Sequence, residues 1–173
     1  MKESRLIRFK SLLHKTLPAA TRFARRLTGS EDGEADLIAE AVAVAFQNFH
    51  RLRHESRFKT WLFSIIHNTH ITLLRRRKLR PVVPLEDIGE VAVSTSNPHD
   101  QEWLDGVLSL LRPQEREAVV LHYLEGFPVA EAARIARTTP GALNMRLARA
   151  RKRLAALIGH PEVMGDSEEE NNR

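Results

Sequence analysis

Residues 128–158 read PVAEAARIARTTPGALNMRLARARKRLAALI, and this stretch decides the fold. Pro128 to Ala136 forms a short helical segment, Arg137-Thr138-Thr139 a tight turn, and Pro140 to about Ile158 a longer basic helix. Thr139 is a good N-cap, because its hydroxyl can accept a bond from a first-turn N–H, and Pro140 suits a first helical position where no N–H is needed. Leu143, Leu147, Ala150, Leu154 and Leu157 recur at the helical period and are expected to face inward. A short helix, a three-residue turn and a long basic helix is the helix-turn-helix layout.

Asn144, Arg146, Arg149, Arg151, Lys152 and Arg153 project from the long helix, and no acidic residue occurs from Ala132 to Leu157. Cations in a last turn suit the helix dipole, but the dipole does not ask for six polar or basic groups over ten residues. Near the helix start, Thr139, Asn144, Met145 and Arg146 are placed to meet base edges; Asn suits adenine, and Arg suits guanine or phosphate. The pattern favours contact with duplex DNA over a merely solvated face.

Working outward, Trp103, Leu104, Val107, Leu108 and Leu111 make an earlier helical stripe, Pro113 opens the next helix, and Gly126 caps its end. Residues 81–100 interrupt the periodicity with Pro81, Pro84, Gly89 and Pro98 and read as a linker. Upstream, Leu37, Ile38, Ala41, Val42, Ala45, Phe46 and Phe49 form one helix face, with Asp32, Glu34 and Asp36 near its start. Phe58, Trp61, Leu62, Ile65, Ile66, Thr69 and Leu73 form another, in which Phe58 and Trp61 have core spacing. A first helix carrying Leu6, Phe9, Leu13 and Leu17 is expected to stop at Pro18, and a second to run from Ala19 to Leu27 and end at Gly29. No strand alternation is found. The reading is all-α: a helical bundle over 1–80, a linker over 81–100, a helix-turn-helix unit over 101–158, and a disordered acidic tail over 159–173.

Charge is laid out in blocks. Residues 51–80 carry nine basic side chains and one acidic, residues 81–133 two basic and ten acidic, and residues 134–153 seven basic and none acidic. The net charge of +5 therefore hides cationic stretches on two helical units, separated by an anionic one. Two contacts on one long polyanion fit that layout. In the upstream block Arg51, Arg53, His54, Arg57 and Lys59 precede the Phe58–Leu73 stripe, Arg75, Arg76, Arg77, Lys78 and Arg80 close it, and His67 and Asn68 lie off it. A basic loop and helix of this kind can hold an unstacked single strand.

Other chemistries find little support. The absence of cysteine excludes disulfides, thiolate metal sites and cysteine nucleophiles. His50, His54, His67 and His70 include helical pairs, but Glu55 is the single acid among them and cations crowd the block, so no metal site is expected. There is no phosphate loop, nucleophile elbow or zinc-protease motif, and neither catalysis nor a cofactor is expected. The longest apolar run, Ala41 to Phe46, falls short of the ~20 residues of a membrane helix. With no export signal in view, the expectation is a soluble cytoplasmic protein without membrane insertion.

Four phrases, RFARRLTGSEDGEADLIAEA (22–41), FKTWLFSIIHNTHITLLRRRK (58–78), LRPQEREAVVLHYLEG (111–126) and GALNMRLARARKRL (141–154), together resemble the extracytoplasmic-function sigma factors of bacterial RNA polymerase. The likeness runs from about Leu6 to Ile158 in the family's order. It implies a region 2 domain that binds the clamp helices of the polymerase β′ subunit and reads and opens the −10 element. It also implies a region 4 domain that binds the β flap and reads the −35 element. Carried over by position, Asp36, Leu37, Glu40 and Gln47 match the core-binding surface. Arg53, His54, Arg57, Asn68, Arg75 and Arg76 match the −10 reader, and Thr139, Gly141, Asn144, Met145, Arg146 and Arg149 the −35 reader. The resemblance further implies an anti-sigma factor that clamps the two domains. Ala39 stands where the family usually has Gln, Val42 where an aromatic is common, His67 for a frequent Arg, Pro128 for the usual Ser, and Asn144-Met145 for the common Lys-Ser. A stand-alone helix-turn-helix regulator or a sigma-like decoy is the alternative reading.

Overall fold

The computed structural model describes residues 2–79 and 98–158; residues 81–97 of the expected linker and the whole tail lie outside them. Helix α1 spans Lys2–Thr28, α2 Glu31–Asn48 and α3 Phe58–Leu79, with two single 3-10 turns, Phe49–Arg51 and Glu55–Arg57, between the last two. Then come α4 (Pro98–Ser109), α5 (Pro113–Val119), a π turn (Val120–Leu124), α6 (Val129–Ile135) and α7 (Pro140–Ile158). No strand occurs among the described residues, and the all-α reading stands.

Local signals set most boundaries. Ser30 caps α2, its hydroxyl accepting from the Gly33 N–H at 3.2 Å. Pro113 opens α5 while the Glu115 carboxylate takes the Arg112 N–H at 3.2 Å. Gly29 and Gly126, both at φ +73°, end α1 and the π turn in the left-handed conformation that glycine adopts without a Cβ clash.

One expected break is absent. α1 continues through Pro18, although a proline inside a helix costs about 3 kcal/mol. The ring is exposed, whereas Phe9 before it and Ala20, Phe23 and Ala24 after it share one buried face against α2 and α3. Packing of that continuous face outweighs the missing backbone bond. Leu6, expected inward, lies 37% exposed on the same helix.

The first three helices bury Leu37, Ala41 and Ala45 of α2 and Phe58, Leu62 and Ile66 of α3. α3 buries Phe63 and His67 as well, on a flank the apolar stripe did not include, because the second unit packs there. Rings Phe23, Phe63 and Phe127 form a line across both units, with centroids 4.9 Å and 5.1 Å apart. The buried apolar residues consequently form one continuous core. In the second unit Leu108, Leu111, Leu121, Ile135, Leu143, Leu147, Ala150 and Leu154 fill the interior. Trp103 and Leu157, both expected inward, are exposed: Trp103 lies off the α4 face that carries Leu108 into the core, and Leu157 lies in the last turn of α7, past the buried Leu143, Leu147 and Leu154.

Candidate nucleic-acid interface

α7 begins as its sequence dictates. Thr139 Oγ1 accepts from the Ala142 N–H at 3.1 Å, and Pro140 starts the first turn. Arg137 takes up the tight turn at φ 49°. With Leu143, Leu147, Ala150 and Leu154 buried, the opposite stripe of Gly141, Asn144, Met145, Ala148, Arg149 and Lys152 is exposed along its length. Arg146 is half-buried beside this stripe. The basic residues at the far end divide their work: Arg153 donates from Nε to Glu115 Oε2 at 3.1 Å, and Arg151 to the Tyr123 hydroxyl at 2.9 Å. Those two brace α7 against α5 and the π turn, leaving Asn144 and Arg149 on the open face.

The second cationic surface hangs on an aromatic clamp. Phe49 and Phe58, both buried, bracket the loop before α3, and their rings lie 5.3 Å and 5.9 Å from that of Phe9 on α1. Pinned at both ends, the loop exposes Arg51, Arg53, His54 and Arg57. Glu55 within it is held by an ion pair with Arg8 of α1. Asn68 is exposed further along α3, and Arg75 and Arg76 are exposed near its end. From Phe58 to Arg76 the helix advances about 27 Å, so these groups form a track and not a pocket.

On α2, Asp36, Glu40, Ala43 and Gln47 share the outward side, with Glu40 half-buried and the others exposed. Leu37 does not belong with them. It is fully buried, because its position falls on the α2 face that carries Ala41 and Ala45 into the core. Arg5 donates to the carbonyls of Phe46 and Gln47 at 2.8 Å and 3.3 Å, satisfying the otherwise orphaned end of α2.

Sequence reasoning missed a third surface, where the two units meet. His67 Nδ1 lies 2.5 Å from Glu117 Oε1, both buried. Lys59 sits 4.7 Å from the centroid of Phe127 and donates to the Glu125 carbonyl at 2.9 Å. Thr60 donates to Glu131 at 3.0 Å, Arg26 meets Asp105 at 3.3 Å, and Arg137 reaches Asn68 Oδ1 at 3.4 Å. The acidic block is thus turned onto the cationic one. A signal was present: the middle of α3 is apolar around most of its circumference, as in a helix packed on two sides.

His67 is committed to that junction, and His50 and His54 are exposed. Among the described residues no group of three or more His, Asp or Glu side chains could hold a metal ion. No helix among them is long and apolar enough to cross a membrane.

Comparison with known proteins agrees with this architecture. Residues 12–80 match the family model of sigma-70 region 2, and residues 101–154 that of sigma-70 region 4. The chain is 33% identical over 147 residues to the sigma factor SigM of Mycobacterium tuberculosis, covering 85% of this chain and 74% of that protein. It is 31% identical over 141 residues to SigM of Bacillus subtilis, covering 79% and 86%. Among solved structures, the sigma factor RpoE of Bartonella quintana, in complex with the anti-sigma factor NepR, superposes with a TM-score of 0.74 at 29% identity. That superposition covers 87% of this chain and 96% of the other. Two family models in the right order, together with relatives of this identity and coverage, place the chain among the extracytoplasmic-function sigma factors, the sigma-70-type subunits that direct RNA polymerase to promoters.

Proposed function

We propose that α7 reads the −35 element through Asn144 and Met145, with Thr139, Gly141, Arg146 and Arg149 positioning the helix on phosphates and groove edges. The observation that carries this reading is the exposed stripe of α7, set by the Thr139 cap and kept clear by the pairing of Arg153 with Glu115. The −10 element falls to the pinned loop with Arg53, His54 and Arg57, to Asn68, and to Arg75 and Arg76 at the end of the track. Cations hold the strand's backbone there, on a loop whose shape the buried Phe49 and Phe58 rings fix.

The outward side of α2, with Asp36, Glu40 and Gln47, docks on the clamp helices of the polymerase β′ subunit, and Leu37 anchors it from within. The second unit binds the β flap. On this reading residues 1–80 and 101–158 are the two functional units, 81–100 connects them, and 159–173 is an acidic tail. The factor acts in the cytoplasm, on the nucleoid when bound to polymerase, without a catalytic step of its own. An anti-sigma factor is a further partner, supported by the likeness to a sigma factor solved with NepR.

Run-off transcription with core enzyme tests the whole. Promoter-dependent transcripts that appear with this chain, and fall with Asn144→Ala, support it; transcripts no better than those of core alone overturn it.

A further inference from the structure

A loop that offers arginines to a nucleic-acid strand is a poor place for a carboxylate, and Glu55 is the single one between Arg51 and Arg57. Its Cα lies at most about 8 Å from those of Arg53 and Arg57, two residues to either side. That is about one screening length at physiological salt, so a free carboxylate there either pairs with a loop arginine or repels a bound phosphate. Glu55 does neither. It accepts from Arg8 of α1, 47 residues away, from Nε at 2.6 Å and from Nη2 of the same guanidinium. Arg51, Arg53 and Arg57 stay exposed, and among the described residues their side chains have no ion-pair or hydrogen-bond partner.

Arg8 reaches the loop because of its neighbours on α1. Arg5, Arg8 and Phe9 stand at i, i+3 and i+4, the spacing of one helix face. Phe9 is buried against the rings of Phe49 and Phe58, one on each side of the loop. Arg5 holds the carbonyls of Phe46 and Gln47, where α2 runs out toward the loop. The Arg8–Glu55 pair itself is open to water, with side chains 63% and 44% exposed, and a pair of that kind contributes little to stability. Its consequence is electrostatic. It takes up the loop's anion and leaves three arginines without an internal partner.

We infer that Arg8 is a positioning residue of the −10 site: by neutralising Glu55 it keeps Arg51, Arg53 and Arg57 available to the phosphates of an unpaired strand, without touching DNA itself. The inference rests on the −10 reading above and deepens it. Without Arg8, Glu55 is released among the loop's cations and occupies one of them, and the site loses about one phosphate contact. For a single strand each contact contributes about 0.7 to the slope of log affinity against log salt, which is about fivefold in affinity at ~0.1 M salt.

The test uses holoenzyme assembled from core polymerase and the full chain. The probe is a fork DNA built on a promoter that this holoenzyme transcribes, with the non-template strand unpaired over the −10 element. Affinity is measured over a range of salt, each variant saturating the core enzyme. Arg8→Ala is expected to bind the fork about fivefold more weakly and to flatten the salt slope by about 0.7. Arg8→Ala combined with Glu55→Gln is expected to regain the wild-type affinity and slope, because the anion that Arg8 restrains is gone. A double variant that stays as weak as Arg8→Ala shows that Arg8 touches the strand or merely braces the loop, and overturns the inference. Weaker binding by Glu55→Gln alone means that the carboxylate itself reads a base, which overturns it too.

A further variant separates this inference from the −10 reading beneath it. If Arg53→Ala with Arg57→Ala weakens fork binding while Arg8→Ala does not, the inference alone fails. If neither changes affinity, the −10 assignment of the loop fails and the role of Arg8 with it.

Discussion

Arg76, near the end of α3, donates from Nη1 to Glu40 Oε1 on α2 at 3.2 Å, so a residue of the proposed −10 track is tied to one on the proposed polymerase-facing side. Both side chains are more than a third exposed, and a pair of this kind contributes at most about 1 kcal/mol. Glu40→Ala therefore leaves thermal stability nearly unchanged and weakens binding to core polymerase. Arg76→Ala keeps core binding and weakens DNA binding. Titration of each variant against core enzyme, with melting curves alongside, checks this; wild-type affinity in Glu40→Ala removes that residue from the docking surface.

The proposed −35 reading assigns base contact to Asn144 and phosphate contact to Arg149 on α7. Arg149→Ala lowers affinity for all sequences and flattens the salt dependence by about one unit. Asn144→Ala relaxes preference at one base pair by about 1–3 kcal/mol and leaves the slope alone. Binding isotherms for the second unit on matched and mismatched −35 duplexes, over a range of salt, distinguish the two roles.

Arg153 should behave differently from its neighbours on the same helix. Its guanidinium is a partner of the buried Glu115 carboxylate, which otherwise keeps the Arg112 N–H. Arg153→Ala leaves that charge under-bonded and destabilises the fold by about 1–3 kcal/mol. Arg149→Ala, on the open face, moves the urea midpoint little. Similar midpoints for the two variants would contradict the assignment of Arg153 to the scaffold.

Stability should also depend on pH through His70. Burial holds its imidazole below the usual histidine range; nearby Glu117 opposes this, while His67 and Arg77 add to it. The unfolded chain then binds the proton more readily than the native one. The stability linked to His70 is full above an ordinary pKa of about 6.5 and is lost progressively as pH falls through that value toward the lower native one. Urea midpoints near pH 8 and near pH 5.5 test the sign, with His70→Gln expected to show the smaller decline.

Pro18 offers a stabilising change. Its exposed ring lies within a continuous α1, and the His14 carbonyl loses its partner one turn back. Pro18→Ala restores the bond and raises stability by up to about 3 kcal/mol, read from the melting temperature. A lower melting temperature would mean that the proline is needed where it stands.

Much of this protein was legible from residue type and spacing alone. The Thr139–Pro140 start of α7, the core rows of α2, α3 and α7, and the placing of cations on two helical units all follow from capping chemistry and the 3.6-residue period. These rules act within a few residues of each position, so one strand of text carries them. What tertiary structure decided lies beyond that range. It carried α1 through Pro18, because two halves of one apolar face pack on the same neighbours. It drew Leu37 into the core while Asp36 and Glu40 stayed outside. It also joined Phe63 to Phe127 and His67 to Glu117, pairs separated by 64 and 50 residues. Whether an acidic block faces water or its own cations depends on how two helical units dock, a sum of many weak contacts across the fold that no local pattern records.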